Sequence, residues 1–331
     1  MKDLLNKLDD VSRRDFAAYA AKACFGVSLL PVAGAATAFA AEIGEGKEPP
    51  ARKKPAKNII YLYMSGGMTH LDTFDPHPGA ETQGPVQAID TVAKGVQISE
   101  YLPQLAKQMD KAVLVRSLSS TQGAHERGRY LMRTSYTQRG TIRHPAMGAW
   151  LLALSGRTNK SLPGNVRIGN DSRHPGAGFM EAAYSPLPIG DPTAGLQNSK
   201  LPRGTEQTQF EKRLSLSGQL DQKFRGRFNQ KKVRSYNDAY NDAVRLMSSE
   251  ELEAFNIYRE EETVRMSYGD NPFGQGCLLA RRLVENDVRF VEVSLGGWDT
   301  HQNNFVRVPE RTEILDQALA SLLADLDDRG I

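Results

Sequence analysis

Two short apolar runs, each followed by a glycine pair, constrain this chain more than any other feature. The first is Asn58-Ile59-Ile60-Tyr61-Leu62-Tyr63-Met64, ending in Ser65-Gly66-Gly67. The second is Val288-Arg289-Phe290-Val291-Glu292-Val293, ending at Gly296-Gly297. Runs of this length, bounded by turn residues and rich in β-branched and aromatic side chains, read as buried strands. Ala112-Val113-Leu114-Val115 and Asn165-Val166-Arg167-Ile168 read as two more. Helical patterns lie between and after them: Leu102 to Met109, Pro145 to Leu154 with Pro145 in its first turn, and Gly276 to Glu285. The last is Thr312 to Asp328, where Ile314, Leu315, Leu319, Leu322, Leu323 and Leu326 share one face and Thr312 is placed as N-cap. Strands alternating with helices predict an α/β fold, a doubly wound and mainly parallel sheet with helices on both faces.

Composition agrees with a globular chain. Of 331 residues 40% are hydrophobic and 24% charged, too apolar for disorder and too polar for a multi-span membrane protein. Lys+Arg 42 against Asp+Glu 39 leaves +3, so no broad basic surface for nucleic acid is expected. Two cysteines, Cys24 and Cys277, exclude a disulfide framework and a thiolate zinc site.

Residues 1–41 read as a twin-arginine signal peptide. Ser12-Arg13-Arg14-Asp15-Phe16 precedes an alanine-rich apolar run, and Ala38-Phe39-Ala40 supplies a small-x-small cleavage site. A transmembrane helix is disfavoured, because Lys22, Gly26, Pro31 and Gly34 interrupt a short stretch. The expected partner is the twin-arginine translocation machinery, the expected location periplasmic or extracytoplasmic, and no membrane span is expected after processing. Cleavage would remove Cys24 and leave Cys277 alone.

Residues 42–57 form a Gly/Pro/Lys-rich linker, and 58–331 the α/β domain. Within it, about 176–204 reads as a long Gly/Pro/Ser-rich loop and about 205–266 as a polar helical insert. Ser248-Ser249-Glu250-Glu251 offers a capping box for a helix that follows. Gly330 is placed as a C′ cap of the last helix.

In open α/β sheets ligands bind beyond the carboxyl ends of strands. Three polar clusters occupy such positions. After the first strand come Ser65, Thr69, His70, Asp72 and Asp75. After the strand at Val113 comes His125 with Glu126. After the last comes Gly297-Trp298-Asp299-Thr300-His301, where Asp299 and His301, two apart, share one side of an extended segment. A carboxylate with an imidazole suits Zn²⁺, Mn²⁺ or Fe. The bland alternatives are a turn hydrogen-bond network for Asp299 and His301 and a helix or turn cap for Asp72 and Asp75. His70, His77, His144 and His174 are read as structural or surface residues. No Gly-x-Ser-x-Gly elbow, P-loop or Gly-x-Gly-x-x-Gly after a strand is present, which argues against a serine hydrolase and against nucleotide binding.

At these residues the chain resembles the bacterial family called domain of unknown function 1501, a branch of the alkaline phosphatase and sulfatase-like superfamily. The resemblance rests on Ser65-Gly66-Gly67-Met68-Thr69-His70-Leu71-Asp72-Thr73-Phe74-Asp75-Pro76, on His125 with Tyr130-Leu131-Met132-Arg133-Thr134, on Pro272-Phe273-Gly274-Gln275 leading to Leu283, and on Gly297-Trp298-Asp299-Thr300-His301 with Asn304. It implies an exported protein with a divalent metal centre (Zn, Mn or Ca). Asp72, Asp299, His301 and, as a further member, His125 are its implied ligands, and Thr69 or Ser65 is the attacking hydroxyl. The implied reaction is metal-activated attack on a phosphate or sulfate ester, small or polymeric. The family continues past the equivalent of Ile331 with a strand, a Gly-Glu-Phe-Gly-Arg-Thr-Pro-like motif and a Gly-Arg-Asp-His-like motif. The expectation is therefore a C-terminally truncated chain with an incomplete metal site and little hydrolase activity. The alternative is a non-catalytic periplasmic binding or surface-assembly protein that keeps the fold.

Overall fold

The computed structural model describes residues 56–331 apart from 198, 200, 202, 228–241 and 248. The leader and nearly all of the expected linker lie outside the described residues.

Four parallel strands form the main sheet: β1 (Ile59–Met64), β4 (Asn165–Ile168), β5 (Leu187–Ile189) and β6 (Phe290–Leu295), in the order β1-β6-β4-β5. The first and last of the described strands are thus neighbours, paired from Ile59–Phe290 to Met64–Leu295. A separate antiparallel pair, β2 (Ala88–Asp90) and β3 (Gln97–Ser99), lies between β1 and β4 in sequence.

The pleat of β6 sends alternate side chains to opposite faces. Val291, Val293 and Leu295 join the core cluster with Cys277, Leu278 and Leu283 of helix α5 (Pro272–Glu285). A Cβ on Gly276 of that helix would lie 3.0 Å from Val293 Cγ1, so the helix lies directly on the strand. On the other face, Phe290 packs so tightly against helix α2 (Met147–Ser155) that a Cβ on Gly148 would lie 2.6 Å from its ring. Glu292 on that same face meets Arg133 of helix α1 (His125–Thr134). The sheet is therefore covered on both sides.

Helix α5 is fixed by sequence chemistry at its start. Asn271 Oδ1 accepts from Gly274 N at 2.9 Å, and Pro272 occupies the first turn, where its missing N–H costs nothing. Each fully buried Leu on this helix contributes roughly 1.5–3 kcal/mol. Arg281 ties the helix outward to Glu260 and Asp325 at 2.8 and 2.9 Å, and pairs within the helix with Glu285 at 2.6 Å. Asp325 belongs to helix α6 (Asn304–Asp328) and also accepts from the Tyr268 hydroxyl at 2.8 Å. A second core cluster gathers Ile98, Leu102, Leu105, Ala106 and Met109. Its 3-10 helix, Leu105–Lys111, is capped by buried Asp316, which accepts from Gln104 N and Leu105 N at 3.0 and 2.7 Å.

The strands at Asn165–Ile168 and near Val288–Val293, and the helices near Leu102, Pro145 and Gly276, form where the sequence places them, within a few residues, although Pro145 precedes its helix, whose N-cap is Ala146, rather than lying in its first turn. Other expectations need correction. Ala112-Val113-Leu114-Val115 makes no strand: Val113 and Val115 are 88% and 68% exposed, and only Leu114 packs, on the second core. Four apolar residues fix neither burial nor partner. The loop expected at 176–204 contains β5, hidden in the sequence by Pro188, which an edge strand tolerates. Ser249 Oγ accepts from Glu251 N, yet the element it opens is a 3-10 helix, Glu250–Phe255. Thr312 is interior to α6 rather than its cap, its hydroxyl donating back to Val308 O at 2.8 Å. The helix starts eight residues earlier and carries Pro309 inside it. The insert is helical among its described residues, with α3 (Gln207–Arg227), a helical segment at 242–247 and α4 (Glu262–Ser267). Gly330 follows α6 at φ 68°, the conformation expected of a C′ glycine. Among the described residues no helix is long and apolar enough to cross a membrane.

A candidate metal centre at the carboxyl edge

Because β1 and β6 are parallel neighbours, the segments that follow them leave the sheet side by side. The backbone joins them first: Ser65 N donates to Leu295 O at 2.8 Å, and Trp298 N to Ser65 O at 3.4 Å. Gly66 has φ 121°, and a Cβ there would lie 2.5 Å from Asp299 N. Only glycine allows both that backbone conformation and that approach. Trp298, 1% exposed, anchors the second segment in the core and leaves Asp299 projecting beside the first.

Asp299 has an imidazole on each side. Its Oδ2 is 3.1 Å from His125 Nε2, and its Oδ1 is 2.9 Å from His301 Nε2. The two imidazole rings meet edge to face, centroids 6.1 Å apart. One ligand atom from each of the three residues falls within 4.8 Å of the others. All three are exposed. His125 opens α1, so its backbone is held by a helix end, whereas Asp299 and His301 lie on the segment between β6 and α6.

Asp72 is not part of that group. It is 4% exposed, and its Oδ2 accepts from Asn304 Nδ2 at 2.8 Å. Asn304 Oδ1 in turn accepts from the Thr300 hydroxyl at 2.6 Å. Asp72 is therefore a buried carboxylate bonded to the residue that begins α6. Ser65 and Thr69 are half-buried in the same loop, and among the described residues neither hydroxyl has a hydrogen-bond partner. Asp75 pairs with His77 and Arg116 at 3.2 and 3.1 Å, an arrangement that orders the loop.

A cavity of about 490 Å³ lies beside His125, lined among others by Tyr61, Tyr63, Gly67 and Arg129. Among the described residues, Arg129 Nε and Nη1 are enclosed without a hydrogen-bond partner. Burial, then Glu292, pushes the Tyr61 hydroxyl up to about 12, so Tyr61 is neutral at physiological pH.

Sequence reasoning passed over a buried charge network on the same face of the sheet. Arg133 donates to Glu292 Oε1 through Nε and Nη2 at 2.9 and 2.7 Å, and to Asp171 at 2.6 Å. His174 Nε2 lies 3.1 Å from Glu292 Oε2, and the Arg133 guanidinium covers the Tyr63 ring at 3.9 Å. Burial alone would raise the Glu292 carboxyl, but the His174 and Arg133 interactions outweigh it and hold it below its ordinary value. The signal was present in Val291-Glu292-Val293, since a carboxylate in a buried strand requires a buried cation. His144, by contrast, stacks on Tyr136 with centroids 4.2 Å apart and bonds to Tyr130, a structural role as expected.

No curated protein and no solved structure matches the chain. A family model does match, over residues 56–331, and it covers both glycine-paired strands, the triad and α6. The chain belongs to the family described as protein of unknown function (DUF1501).

Proposed function

We propose that this protein is an exported, metal-dependent hydrolase of phosphate or sulfate esters with a sulfatase-like fold. The observation that carries the reading is the juxtaposition of His125, Asp299 and His301 at the end of a parallel sheet. The donor set fits a divalent ion: two imidazole nitrogens and a carboxylate oxygen are already within 4.8 Å of one another, and their exposure leaves room for water or substrate. Zn or Mn would be held by these three, whereas Ca, which takes oxygen ligands, does not fit a set with two imidazoles. The bound ion would supply Lewis-acid polarisation of an ester oxygen. Asn304 holds the buried Asp72 carboxylate, on the loop that also carries Ser65 and Thr69. The cavity beside His125 gives the ester a place to lie, with Arg129 offering a cation to its non-bridging oxygens. Ser65 and Thr69 are the hydroxyls available for attack.

Export by the twin-arginine route to a periplasmic or other extracytoplasmic location rests on Ser12-Arg13-Arg14-Asp15-Phe16 and the alanine-rich run after it.

The test is metal titration of the chelator-treated chain by calorimetry, with bound metal counted by mass spectrometry and aryl phosphate and aryl sulfate hydrolysis followed in parallel. One stoichiometric ion is expected, with affinity falling at least about 100-fold in Asp299→Ala and His301→Ala, given that even outer partners of metal ligands are worth 10–100-fold. Absence of stoichiometric binding, or binding indifferent to both substitutions, would remove the reading.

A further inference from the structure

The carboxyl ends of β4, β5 and β6 enclose a second cavity, about 400 Å³, that shares no lining residue with the one beside His125. We propose that it binds the oxyanion head of a small molecule, a phosphate or sulfate group, through Arg307 and Arg311. The proposal is independent of the metal reading.

All three strands reach this cavity through a glycine: Gly169 after β4, Gly190 after β5, and the Gly296-Gly297 pair after β6. Side chains are thus absent where a ligand would approach the backbone. Gly297 has φ 93°, and a Cβ there would lie 3.2 Å from Arg311 Cδ, so the glycine also makes room for the arginine.

The electrostatics are unbalanced. Arg307 and Arg311 are one turn apart near the start of α6, and both line the cavity. Among the described residues neither guanidinium makes a hydrogen bond or ion pair. Like charges at this spacing repel, and Arg307 also lies close to the positive end of the helix. The first turn of α5, Pro272 and Phe273, opens on the same cavity and adds its own positive end. The two arginines and the α5 helix end around one glycine-lined space are stabilised together when an anion occupies it. A guanidinium fork matches the oxygens of a phosphate or sulfate group. Phe273 and Ile314 give the cavity an apolar wall, suited to an organic body attached to that head. The position outside the carboxyl ends of parallel strands is where open α/β sheets bind ligands.

The experiment is calorimetric titration of the full chain, in chelator so that no metal contributes, with inorganic phosphate, inorganic sulfate and phenyl phosphate. Binding of at least one of these at or below about 10 mM is expected. Arg311→Gln and the Arg307→Gln/Arg311→Gln pair should weaken it at least about tenfold, equivalent to about 1.4 kcal/mol. Arg311→Lys should retain more affinity than Arg311→Gln, and His125→Ala/His301→Ala should leave it unchanged. Melting temperatures within the wild-type range certify that the variants are folded. Tighter binding of phenyl phosphate than of phosphate identifies an organic ligand, and equal binding the free anion. No binding of any probe, or binding indifferent to Arg311→Gln, or binding lost with the two histidines instead, overturns the proposal.

Discussion

Asn304 donates its side-chain amide to Asp72 at 2.8 Å across 232 residues of sequence. The bond joins the segment after the first strand to the first residue of the last helix, and it engages a carboxylate that is almost wholly buried. Asn304→Ala leaves that carboxylate without its donor, which should destabilise the fold by about 1–3 kcal/mol. Urea unfolding measures it. A loss below about 0.5 kcal/mol would mean that water replaces the amide.

Glu292 governs a pH dependence. Its carboxyl titrates below the ordinary value of 4.5 because His174 and Arg133 favour the charged form more than burial disfavours it. A depressed acid stabilises the fold above its unfolded value, and that stability is lost as pH falls through the folded value. Wild-type stability should therefore fall below pH 4.5 more steeply than that of Glu292→Gln. At neutral pH the variant leaves Arg133 partly uncompensated and should cost about 3–5 kcal/mol. Denaturant melts from neutral to acid pH check both the cost and the slope.

Gly66→Ala should damage the candidate metal centre without touching any of its side chains. The added methyl meets Asp299 N at 2.5 Å, and the backbone is at φ 121°. Loss of metal affinity larger than the change in unfolding free energy would separate displacement of Asp299 from general destabilisation. Wild-type affinity in Gly66→Ala would contradict this geometry.

Cys277 should be chemically silent in the native state. It is completely buried, and burial pushes its thiol well above the ordinary range. Alkylation of Cys277, followed by peptide mapping, should proceed only as fast as the protein opens. Labelling at the rate of the denatured chain would refute the packing of α5.

Export is tested by replacing Arg13 and Arg14 with Lys. Mature protein should disappear from the periplasmic fraction and precursor accumulate inside the cell. Undiminished periplasmic delivery would exclude the twin-arginine route.

Much of the frame was legible because it follows local pattern. Asn165–Ile168 is a strand residue for residue, and the helical pattern at Gly276 to Glu285 lies within α5, which starts earlier, at Pro272, behind an Asn271 cap the pattern did not mark. What failed was decided by distant partners. Val113 and Val115 are as apolar as any core strand yet face solvent, and Pro188 disguised a strand whose place at the sheet edge no local signal reveals. At the site, the two-residue spacing of Asp299 and His301 was readable, but the placement of His125 was not: the strand expected before it does not form, and His125 opens α1 instead. The inward turn of Asp72 depends on Asn304, and the Arg133–Glu292 pair on a crossing of the sheet.

The contact between Gly66 and the Asp299 backbone has a bearing on how this edge can change over time. Main-chain atoms set the spacing of the two loops, so the frame does not depend on the chemical identity of Asp299 or His301. Substituting those exposed positions alters what the edge can grip and leaves its geometry standing. A single glycine thus separates the inheritance of architecture from the inheritance of chemistry, and descendants of one scaffold can exchange the second while conserving the first.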